Sequence, residues 1–282
     1  MSNQPGILYV VATPIGNLDD FSPRAQRTLR EVDLIAAEDT RHSNKLLQHY
    51  GIDTPVTAFH EHNEREKAPE LVAMIVQGQN LALISDAGTP LVSDPGYRLV
   101  RAAHAAGLRV VPVPGACAAV TALSASGLPS DRFAFEGFPP VKPAARRAWL
   151  EALVREPRTL IFYESPHRIV ESLADMLAVF GEQREAVYAR ELTKQFETVR
   201  HATLGELAPW VAGDKHQQLG EIVVLVHGAA PAEGGAGEEA DRILRILIKE
   251  LPVSQAAALT AEITGQKKNA LYDLALQLKG GR

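Results

Sequence analysis

The stretch Leu81–Gly96, LALISDAGTPLVSDPG, places a short apolar run directly before a loop of small and acidic residues. The run Leu81–Ser85 has the length and the apolar character of a buried strand. Asp94-Pro95 then combines a capping side chain with a proline, a pair that suits the first turn of a helix. The stretch therefore predicts a strand, a loop and a helix, which together form the repeating unit of an α/β sheet.

The same alternation continues on both sides of this stretch, over the N-terminal 228 residues. Helices are predicted to begin at Ser22-Pro23 and at Ser165-Pro166, and the second of these is predicted to end at Gly181. Further strands are predicted at Ile7–Val11, Asp33–Ala37, Val56–Phe59, Arg109–Val113, Arg132–Glu136, Thr159–Tyr163, Glu185–Arg190, Thr198–Ala202 and Glu221–His227. Strands that alternate with helices predict an α/β architecture with parallel or mixed sheets.

Changes in composition divide the chain into regions. Small residues near Pro114–Gly127 separate an α/β subdomain at 1–113 from a second one at 114–228. The segment Gly228–Gly237, GAAPAEGGAG, lacks periodicity and predicts a flexible linker, with 229–237 as its limits. Residues 238–282 predict three helices, broken at Leu251-Pro252 and Thr264-Gly265, that resemble a helix-turn-helix unit.

Two arrangements of this helical unit remain open at the level of sequence. It is either a hinged, separable module, or a cover for an apolar face of the main domain. In the second case its buried side is formed by four apolar residues, Ile243, Leu244, Leu247 and Ile248.

Composition and charge exclude several classes of protein. Of 282 residues, 46% are hydrophobic and 22% charged, which is typical of a globular chain. Because the formal net charge is −5, contact with nucleic acid depends on local basic patches. Lys142–Arg168 holds six basic against three acidic residues, and the tail from Asp241 holds seven against four.

With one cysteine, Cys117, neither an internal disulfide nor a CxxC zinc site is possible. We expect a soluble, cytoplasmic protein with no membrane partner, since neither a signal peptide nor a membrane span is recognisable.

Polar clusters follow the predicted strands one after another, where the ligand crevice of an open α/β sheet lies. They are Thr13-Pro14-Ile15-Gly16-Asn17, Glu38-Asp39-Thr40-Arg41, His60-Glu61-His62-Asn63, Asp86-Ala87-Gly88-Thr89-Pro90, Pro114-Gly115, Gly137-Phe138, Glu164-Ser165-Pro166-His167-Arg168 and Glu191-Leu192-Thr193-Lys194. Turn formation explains the glycines and prolines but not the repeated acidic, basic and histidine side chains. The set as a whole favours a ligand site. A phosphate-binding loop is not predicted, because GxxxxGK[ST] and GxGxxG are both missing.

Eight ordered blocks carry a resemblance to a known family: ATPIGNLDD, AEDTR, FHEHN, DAGTPLVSDPG, PVPGACA, FEGF, FYESPHR and ARELTK. The chain resembles the bacterial small-subunit ribosomal RNA methyltransferase I family, whose members are similar in fold to the tetrapyrrole (class III) methylases. The resemblance covers residues 7–228 and continues into the tail. It implies an α/β fold of two subdomains with mixed sheets, plus a small C-terminal helical module.

The same resemblance implies an activity and its partners. S-adenosylmethionine (S-adenosyl-L-methionine) is the expected methyl donor, held between the two subdomains of each protomer of a homodimer. The expected acceptor is the ribose 2′-oxygen of a cytidine in 16S rRNA of the small ribosomal subunit.

Cofactor-binding residues are carried over from the family by position. They are Pro14, Asp86, Ala87, Gly88, Thr89, Pro90, Val92, Cys117, Ala118, Glu164 and Leu192. Many relatives have serine or threonine where Cys117 stands. Because a thiol is a weak hydrogen-bond donor, we expect contact there through backbone or packing.

Catalysis requires help for the acceptor, since a ribose hydroxyl is a weak nucleophile until a base or a positive charge assists it. Lys194 and Arg190 are predicted to stabilise charge or bind phosphate, and Glu38 is the third predicted catalytic residue. Other candidates for the base are Asp39, His60, Glu61, Glu164 and His167, with Arg41 and Arg168 as electrostatic partners. For Asp39 an ion pair with Arg41 that fixes the loop is the favoured role. No metal is predicted, although His60, Glu61 and His62 are adjacent, because neighbouring residues rarely converge on one ion.

Two other functions remain open. The same fold can methylate a tetrapyrrole or another small molecule, but the helical tail and the blocks AEDTR, FHEHN and FYESPHR exceed what such a pocket needs. A non-catalytic RNA-binding factor can also keep the fold, and it is distinguished by a lack of affinity for S-adenosylmethionine.

Overall fold

The computed structural model describes residues 4–230 and 235–280, which belong to two compact units that meet in sequence at His227 and Gly228. The strands of the first unit are β1 Ile7–Val11, β2 Leu34–Ala37, β3 Val56–Ala58, β4 Leu81–Ile84, β5 Arg109–Val113, β6 Phe133–Gly137, β7 Thr159–Glu164, β8 Glu185–Arg190, β9 Thr198–Thr203 and β10 Ile222–Val226. Its helices are α1 Pro23–Glu31, α2 Thr40–His49, α3 Glu64–Val76, α4 Tyr97–Ala105, α5 Ala118–Ser126, α6 Pro143–Ala152, α7 Ile169–Phe180 and α8 Leu204–Gly213.

The first sheet is entirely parallel and has the order β3-β2-β4-β1-β5. Its central strand β4 is buried along its whole length, as the continuous apolar run Leu81–Ile84 requires. Two apolar clusters, one around Leu29 and Ile35 and one around Leu71 and Leu99, form the core of this subdomain. All five strands therefore end at the same edge of the sheet.

The second sheet is mixed and has the order β6-β7-β10-β8-β9. Strand β10 runs antiparallel to both β7 and β8, so Ile222 at its start lies opposite Glu164 and Arg190 at their ends. The end of β7, the end of β8 and the beginning of β10 thus share one edge. The mixed α/β fold expected from the sequence is confirmed.

Each predicted strand is confirmed to within one residue at either end. The predicted start of α1 is also correct, because the Ser22 hydroxyl accepts a hydrogen bond from the Ala25 N–H at 3.1 Å. Gly181 follows the last residue of α7 in a positive-φ conformation, as predicted.

Two predicted helix starts are wrong. Helix α4 begins at Tyr97, after Asp94-Pro95, and its free N–H groups are bound by a distant side chain. One carboxylate oxygen of Glu64 accepts from the Gly96 and Arg98 N–H groups at 3.1 and 2.8 Å. Residues Ser165-Pro166 form a turn, in which the Ser165 hydroxyl accepts from His167 N–H, and α7 starts only at Ile169.

The second unit consists of α9 Gly235–Glu250, α10 Val253–Thr264 and α11 Lys268–Gly280, so the three predicted helices are confirmed. Helix α9 begins inside the predicted linker, and residues 231–234 of that segment lie outside the described residues. Leu244 is buried against Ala256 and Ala275 of the same unit. Leu247 and Ile248 pack on this cluster. Within the described residues, none of the helices combines the length and the apolar character needed to cross a membrane.

Candidate active site

A cavity of ≈ 310 Å³ opens where loops at the carboxyl ends of the two sheets face each other. Its walls come from loops after β1, β4 and β5 on one side, and from the loop after β6, the ends of β7 and β8 and the start of β10 on the other. Most of the predicted cofactor residues line it: Ala87, Gly88, Thr89, Val92, Cys117, Ala118, Glu164 and Leu192. This volume is within the range of small-molecule sites.

Three predicted cofactor residues are absent from the lining of this cavity in the described chain. Pro14 and Pro90 are buried. The Asp86 carboxylate accepts a hydrogen bond from the Asp39 N–H at 3.0 Å. Asp86 thereby ties the loop after β4 to the loop after β2.

The loop after β4 is held in place by bonds to two neighbouring loops. Thr13 and Gly88 exchange two backbone hydrogen bonds of 2.9 and 3.1 Å, and the Thr89 hydroxyl donates to the Ala116 carbonyl at 2.9 Å. Gly88 has a φ of +84°, and a Cβ there would lie 3.2 Å from Ile15 Cγ2. Glycine at this position allows the loop to pack tightly on the loop after β1.

Backbone strain is concentrated around the cavity. In the described chain the non-glycine residues with positive φ are Leu91, Ser93, Glu191 and Thr193. Ser93 lines the cavity, and Glu191 and Thr193 flank the lining residue Leu192. Each such residue costs about 1–3 kcal/mol and persists only where the surroundings enforce it, which is typical of functional sites.

Glu164 is held by three neighbours on its own loop and helix. Its carboxylate accepts from the Ser165 N–H at 2.6 Å and from the Ser172 hydroxyl, and pairs with Arg168 Nη2 at 2.7 Å. Arg168 also donates to the Pro139 carbonyl at 3.1 Å. These contacts occupy both carboxylate oxygens and suit a role in shaping the site.

Lys194 lies at the rim of the cavity between two carboxylates. Its Nζ is 2.8 Å from Glu191 Oε1 and 2.9 Å from Glu221 Oε2. Its aliphatic stem packs on Gly16, where a Cβ would come within 2.4 Å of Lys194 Cγ. Lys194 therefore connects the loop after β1 to the segments that follow β8 and precede β10.

Arg190 is 8% exposed and directs its guanidinium at the backbone. It donates to the Phe196 carbonyl at 3.1 Å and to the Leu219 carbonyl at 3.4 Å. Arg190 thus fixes two segments that adjoin the cavity wall, and this geometry favours a positioning role.

Carboxylates gather where β2 and β4 end. Burial raises the pKa of Glu38 from 4.5 to about 7, and the nearby Asp94, Asp86, Asp39 and Glu61 add to the rise. Burial likewise raises the pKa of Asp94 from 3.8 to about 6, although a hydrogen bond with Ser85 opposes the shift. Asp94 lines the cavity.

Asp94 is a candidate that sequence reasoning missed. The signal was the second aspartate of the block DAGTPLVSDPG, which had been interpreted as a helix cap. For Asp39 the expected ion pair is confirmed, since Arg41 Nη2 lies 3.1 Å from its carboxylate. Hydrogen bonds from Arg41 lower the pKa of Asp39 to about 2.

The two histidines near this cluster pack on each other rather than converge on a common point. The rings of His60 and His62 lie edge to face, with centroids 6.0 Å apart. Within the described residues, no group of three or more histidine, cysteine, aspartate or glutamate side chains could hold a metal ion.

The basic surface predicted over Lys142–Arg168 is largely neutralised. Arg146 is 1% exposed and pairs with Asp175 at 2.7 Å. Three further arginines are paired: Arg147 with Asp175, Arg158 with Glu156 and Arg168 with Glu164. Lys142 and Arg155 are exposed without an ion pair among the described residues. Four of the six cations therefore balance carboxylates of the first unit, which leaves Lys142 and Arg155 for contact with phosphates.

Family models match both units of the chain. Residues 7–208 match the tetrapyrrole (corrin/porphyrin) methylases, and residues 234–279 match the RsmI C-terminal HTH domain.

Several curated proteins are similar over nearly their full length. A Pseudomonas aeruginosa protein named ribosomal RNA small subunit methyltransferase I is 63% identical over 277 residues, which is 98% of either chain. A protein of the same name from Escherichia coli O157:H7 is 57% identical over 278 residues, covering 99% of this chain and 97% of the relative.

Solved structures share the fold at lower identity. The methyltransferase CobJ superposes with a TM-score of 0.60 at 20% identity, over 80% of this chain and 95% of that chain. Diphthine synthase superposes with a TM-score of 0.57 at 16% identity, over 78% and 89% of the two chains. At these identities the similarity shows the fold alone.

Proposed function

The chain belongs to the tetrapyrrole (corrin/porphyrin) methylase family, and we propose that it uses S-adenosylmethionine to methylate a cytidine ribose 2′-oxygen in 16S rRNA. The observation that carries the proposal is identity of 57–63% along nearly the whole chain to proteins named for the small-subunit rRNA reaction. This similarity includes the C-terminal helical unit, which the matched tetrapyrrole methylase model, ending at residue 208, does not contain.

The residues around the cavity fit S-adenosylmethionine. When bound, this cofactor supplies an electrophilic methyl group whose leaving group departs as a neutral thioether. The small residues Ala87, Gly88 and Ala118 let a ligand approach the backbone, and Val92 and Leu192 offer apolar contact. At the start of α5 the Tyr163 hydroxyl accepts a hydrogen bond from the Ala119 N–H at 3.1 Å. The other N–H groups there suit a ligand carboxylate.

We propose that Asp94 is the group that accepts the proton of the ribose hydroxyl. It lines the cavity, and with a pKa of about 6 it is ionised at neutral pH while remaining more basic than an ordinary aspartate. Glu38, predicted as catalytic from the sequence, belongs to the same carboxylate cluster, with a pKa raised to about 7 by burial and by its acidic neighbours. Lys194, paired with Glu191 and Glu221, and Arg190 hold the cavity wall in position.

The proposal extends to the surroundings in which the enzyme works. The ribosomal substrate implies a cytoplasmic location, and family membership supports a homodimer. Light scattering of the purified chain measures its mass and decides between a dimer and a monomer.

Methyl transfer from labelled cofactor decides the function. The chain is incubated in parallel with small ribosomal subunits, naked 16S rRNA and tetrapyrroles. We expect label in the rRNA of the small subunit, at one cytidine. Because its 2′-hydroxyl is methylated, the adjacent phosphodiester should resist alkaline cleavage. Label in a tetrapyrrole alone would contradict the proposal in favour of small-molecule methylation. Cofactor affinity too weak to detect by calorimetry would point to a non-catalytic RNA-binding factor.

A further inference from the structure

Phe138 lines the cavity and yet is 53% exposed. Other phenylalanines of the chain, such as Phe59 and Phe162, are fully buried, as expected for a large apolar side chain. Two further exposed phenylalanines, Phe133 and Phe196, are absent from the cavity lining in the described chain. Phe138 is therefore an exposed aromatic ring at the candidate active site, where a ligand can contact it.

The loop that carries Phe138 is fixed before any ligand arrives. Gly137, with a φ of 67°, turns the chain at the end of β6. Two arginines then hold the backbone beyond the ring. Arg168 donates to the Pro139 carbonyl at 3.1 Å, and the buried Arg146 donates to the Val141 carbonyl at 3.4 Å. A ring on such a loop loses little conformational entropy when it binds.

The loop that carries Phe138 adjoins lining residues from both walls of the cavity. Phe138 contacts Tyr163 edge to face, with centroids 5.7 Å apart and an interplanar angle of 67°. Ser93 Oγ, from the loop after β4, lies 3.7 Å from the position that a Cβ of Gly137, the residue before Phe138, would occupy. Asp94 follows Ser93 and lines the same cavity. The exposed ring thus lies on the side of the cavity where we place the proton acceptor.

We infer that Phe138 stacks on the base of the target nucleotide once that nucleotide has left the RNA stack. This inference rests on the proposed function and names a residue that would hold the RNA substrate. Proteins that read single nucleotides of RNA commonly stack the unpaired base on an aromatic side chain. Enzymes that react with one nucleotide of a structured nucleic acid must first take it out of the stack. Lys142 is exposed four residues further on, without an ion pair among the described residues, and suits an adjacent phosphate.

The test compares Phe138→Ala and Phe138→Tyr with the matched control Phe196→Ala. For each full-length variant, cofactor affinity is measured by calorimetry and kcat/KM is measured for methyl transfer to small subunits. Stacking of one base corresponds to a change of about 5- to 150-fold in binding. We expect Phe138→Ala to lower kcat/KM by this factor with unchanged cofactor affinity, and Phe138→Tyr to restore most of the loss. Phe196→Ala, which removes an exposed ring outside the cavity lining, should match the wild type.

Other outcomes overturn the inference in distinguishable ways. If Phe138→Ala weakens cofactor binding in step with activity, the ring belongs to the cofactor site. If Phe138→Ala has wild-type kcat/KM, or if Phe196→Ala shows the same loss, the cavity ring has no special contact with the substrate. A change in the mass of the assembly in Phe138→Ala would assign the ring to an interface between copies of the chain. In these cases the wild type still methylates rRNA, whereas an inert wild type would overturn the proposed function as well.

Discussion

At the scale of single residues, the acidic cluster at the ends of β2 and β4 works against folding. Glu38 and Asp94 are partly removed from water, and each lies near other carboxylates, so ionisation of either is unfavourable. A chain selected for stability alone would gain from replacing one of them. Groups with raised pKa values that meet in a cleft are typical of catalytic sites, which supports the role we propose for Asp94.

Replacement of Glu38 by glutamine is expected to stabilise the protein at alkaline pH. Because the folded-state pKa is raised from 4.5 to about 7, the stabilisation linked to its proton is complete below pH 4.5 and is lost as the pH rises through about 7. Glutamine carries no charge and avoids this loss. The side chain is partly exposed, so solvent screening reduces the gain to about 1 kcal/mol. Urea unfolding near pH 8 measures the difference.

The matched control for Glu38→Gln is Glu66→Gln, at an exposed position of α3 for which little change is expected at any pH. The advantage of Glu38→Gln over the wild type should disappear below about pH 5. A pH-independent difference between Glu38→Gln and the wild type would show that folding does not raise the pKa of Glu38.

Replacement of Asp94 by asparagine tests the proposed proton acceptor. Loss of a general base costs roughly 10²–10⁴-fold in rate. For the wild type we expect kcat to fall as the pH drops below about 6, where Asp94 becomes protonated. Asp94→Asn should be slow and lack this inflection, while its affinity for S-adenosylmethionine changes little. Full activity of the variant, with the inflection retained, would assign the base to another group.

At the scale of elements, sequence reasoning succeeded where the signal was local. The strands were predicted to within one residue, because apolar runs such as Leu81–Ile84 are bounded by turn residues in the sequence itself. The start of α4 was missed, because its cap comes from Glu64, some thirty residues earlier in the chain. Asp94 was consequently interpreted as a cap. Its position in the cavity depends on long-range packing that no local pattern contains.

The residues of the candidate site likewise divide into those that the sequence predicted and those that only the structure revealed. Residues Asp86–Pro90 and Val92 were predicted from the family blocks, and four of these six line the cavity. Phe138 belongs to the predicted cluster Gly137-Phe138 and to the block FEGF, but the sequence gives it no role, since an exposed and a buried phenylalanine look alike in a sequence. The pairing of Lys194 with Glu191 and Glu221 also required the structure, because β10 brings Glu221 to the end of β8.

Glu64 is expected to hold α4 and the end of the cavity loop together. Glu64→Ala removes a buried carboxylate that binds two helix N–H groups, and loss of such a cap costs about 1–2 kcal/mol. For a domain of this size that corresponds to a decrease of a few degrees in Tm. Calorimetric Tm and cofactor affinity should both fall. Glu66→Ala, which alters an exposed carboxylate in the same turn of α3, is the control, and an equal effect there would contradict the capping role.

At the scale of the whole molecule, the cavity is built by loops that bridge the two sheets. The Asn17 N–H donates to the Thr193 hydroxyl at 3.2 Å, and the Lys194 stem packs on Gly16. All of these contacts lie within the first unit, before His227. The second unit has apolar clusters of its own, centred on Leu244 and Leu271.

The charge of the second unit suggests what it contributes. Lys267 and Lys268 are exposed at the start of α11, where the helix dipole disfavours positive charge. A nearby RNA phosphate would offset that cost. In the full-length chain, changing both lysines to glutamine should lower the slope of log affinity against log salt by about 1.4–1.8, the value for two lost phosphate contacts. Filter binding of small subunits over a salt series measures it, and an unchanged slope would exclude contact at this position.

Deletion of Gly228–Arg282 separates the two arrangements that the sequence left open. If the second unit serves substrate binding, the remaining chain keeps its Tm and its affinity for S-adenosylmethionine, because every residue of the cavity wall lies in the first unit. Its KM for small subunits should rise, and the dependence of binding on salt should become at least as shallow as in the double lysine variant. If the helices instead cover an apolar face of the first unit, truncation exposes that face to water, and Tm and cofactor affinity fall together. Calorimetry of the truncated chain with and without cofactor distinguishes the two, since a joint loss is incompatible with a separable RNA module.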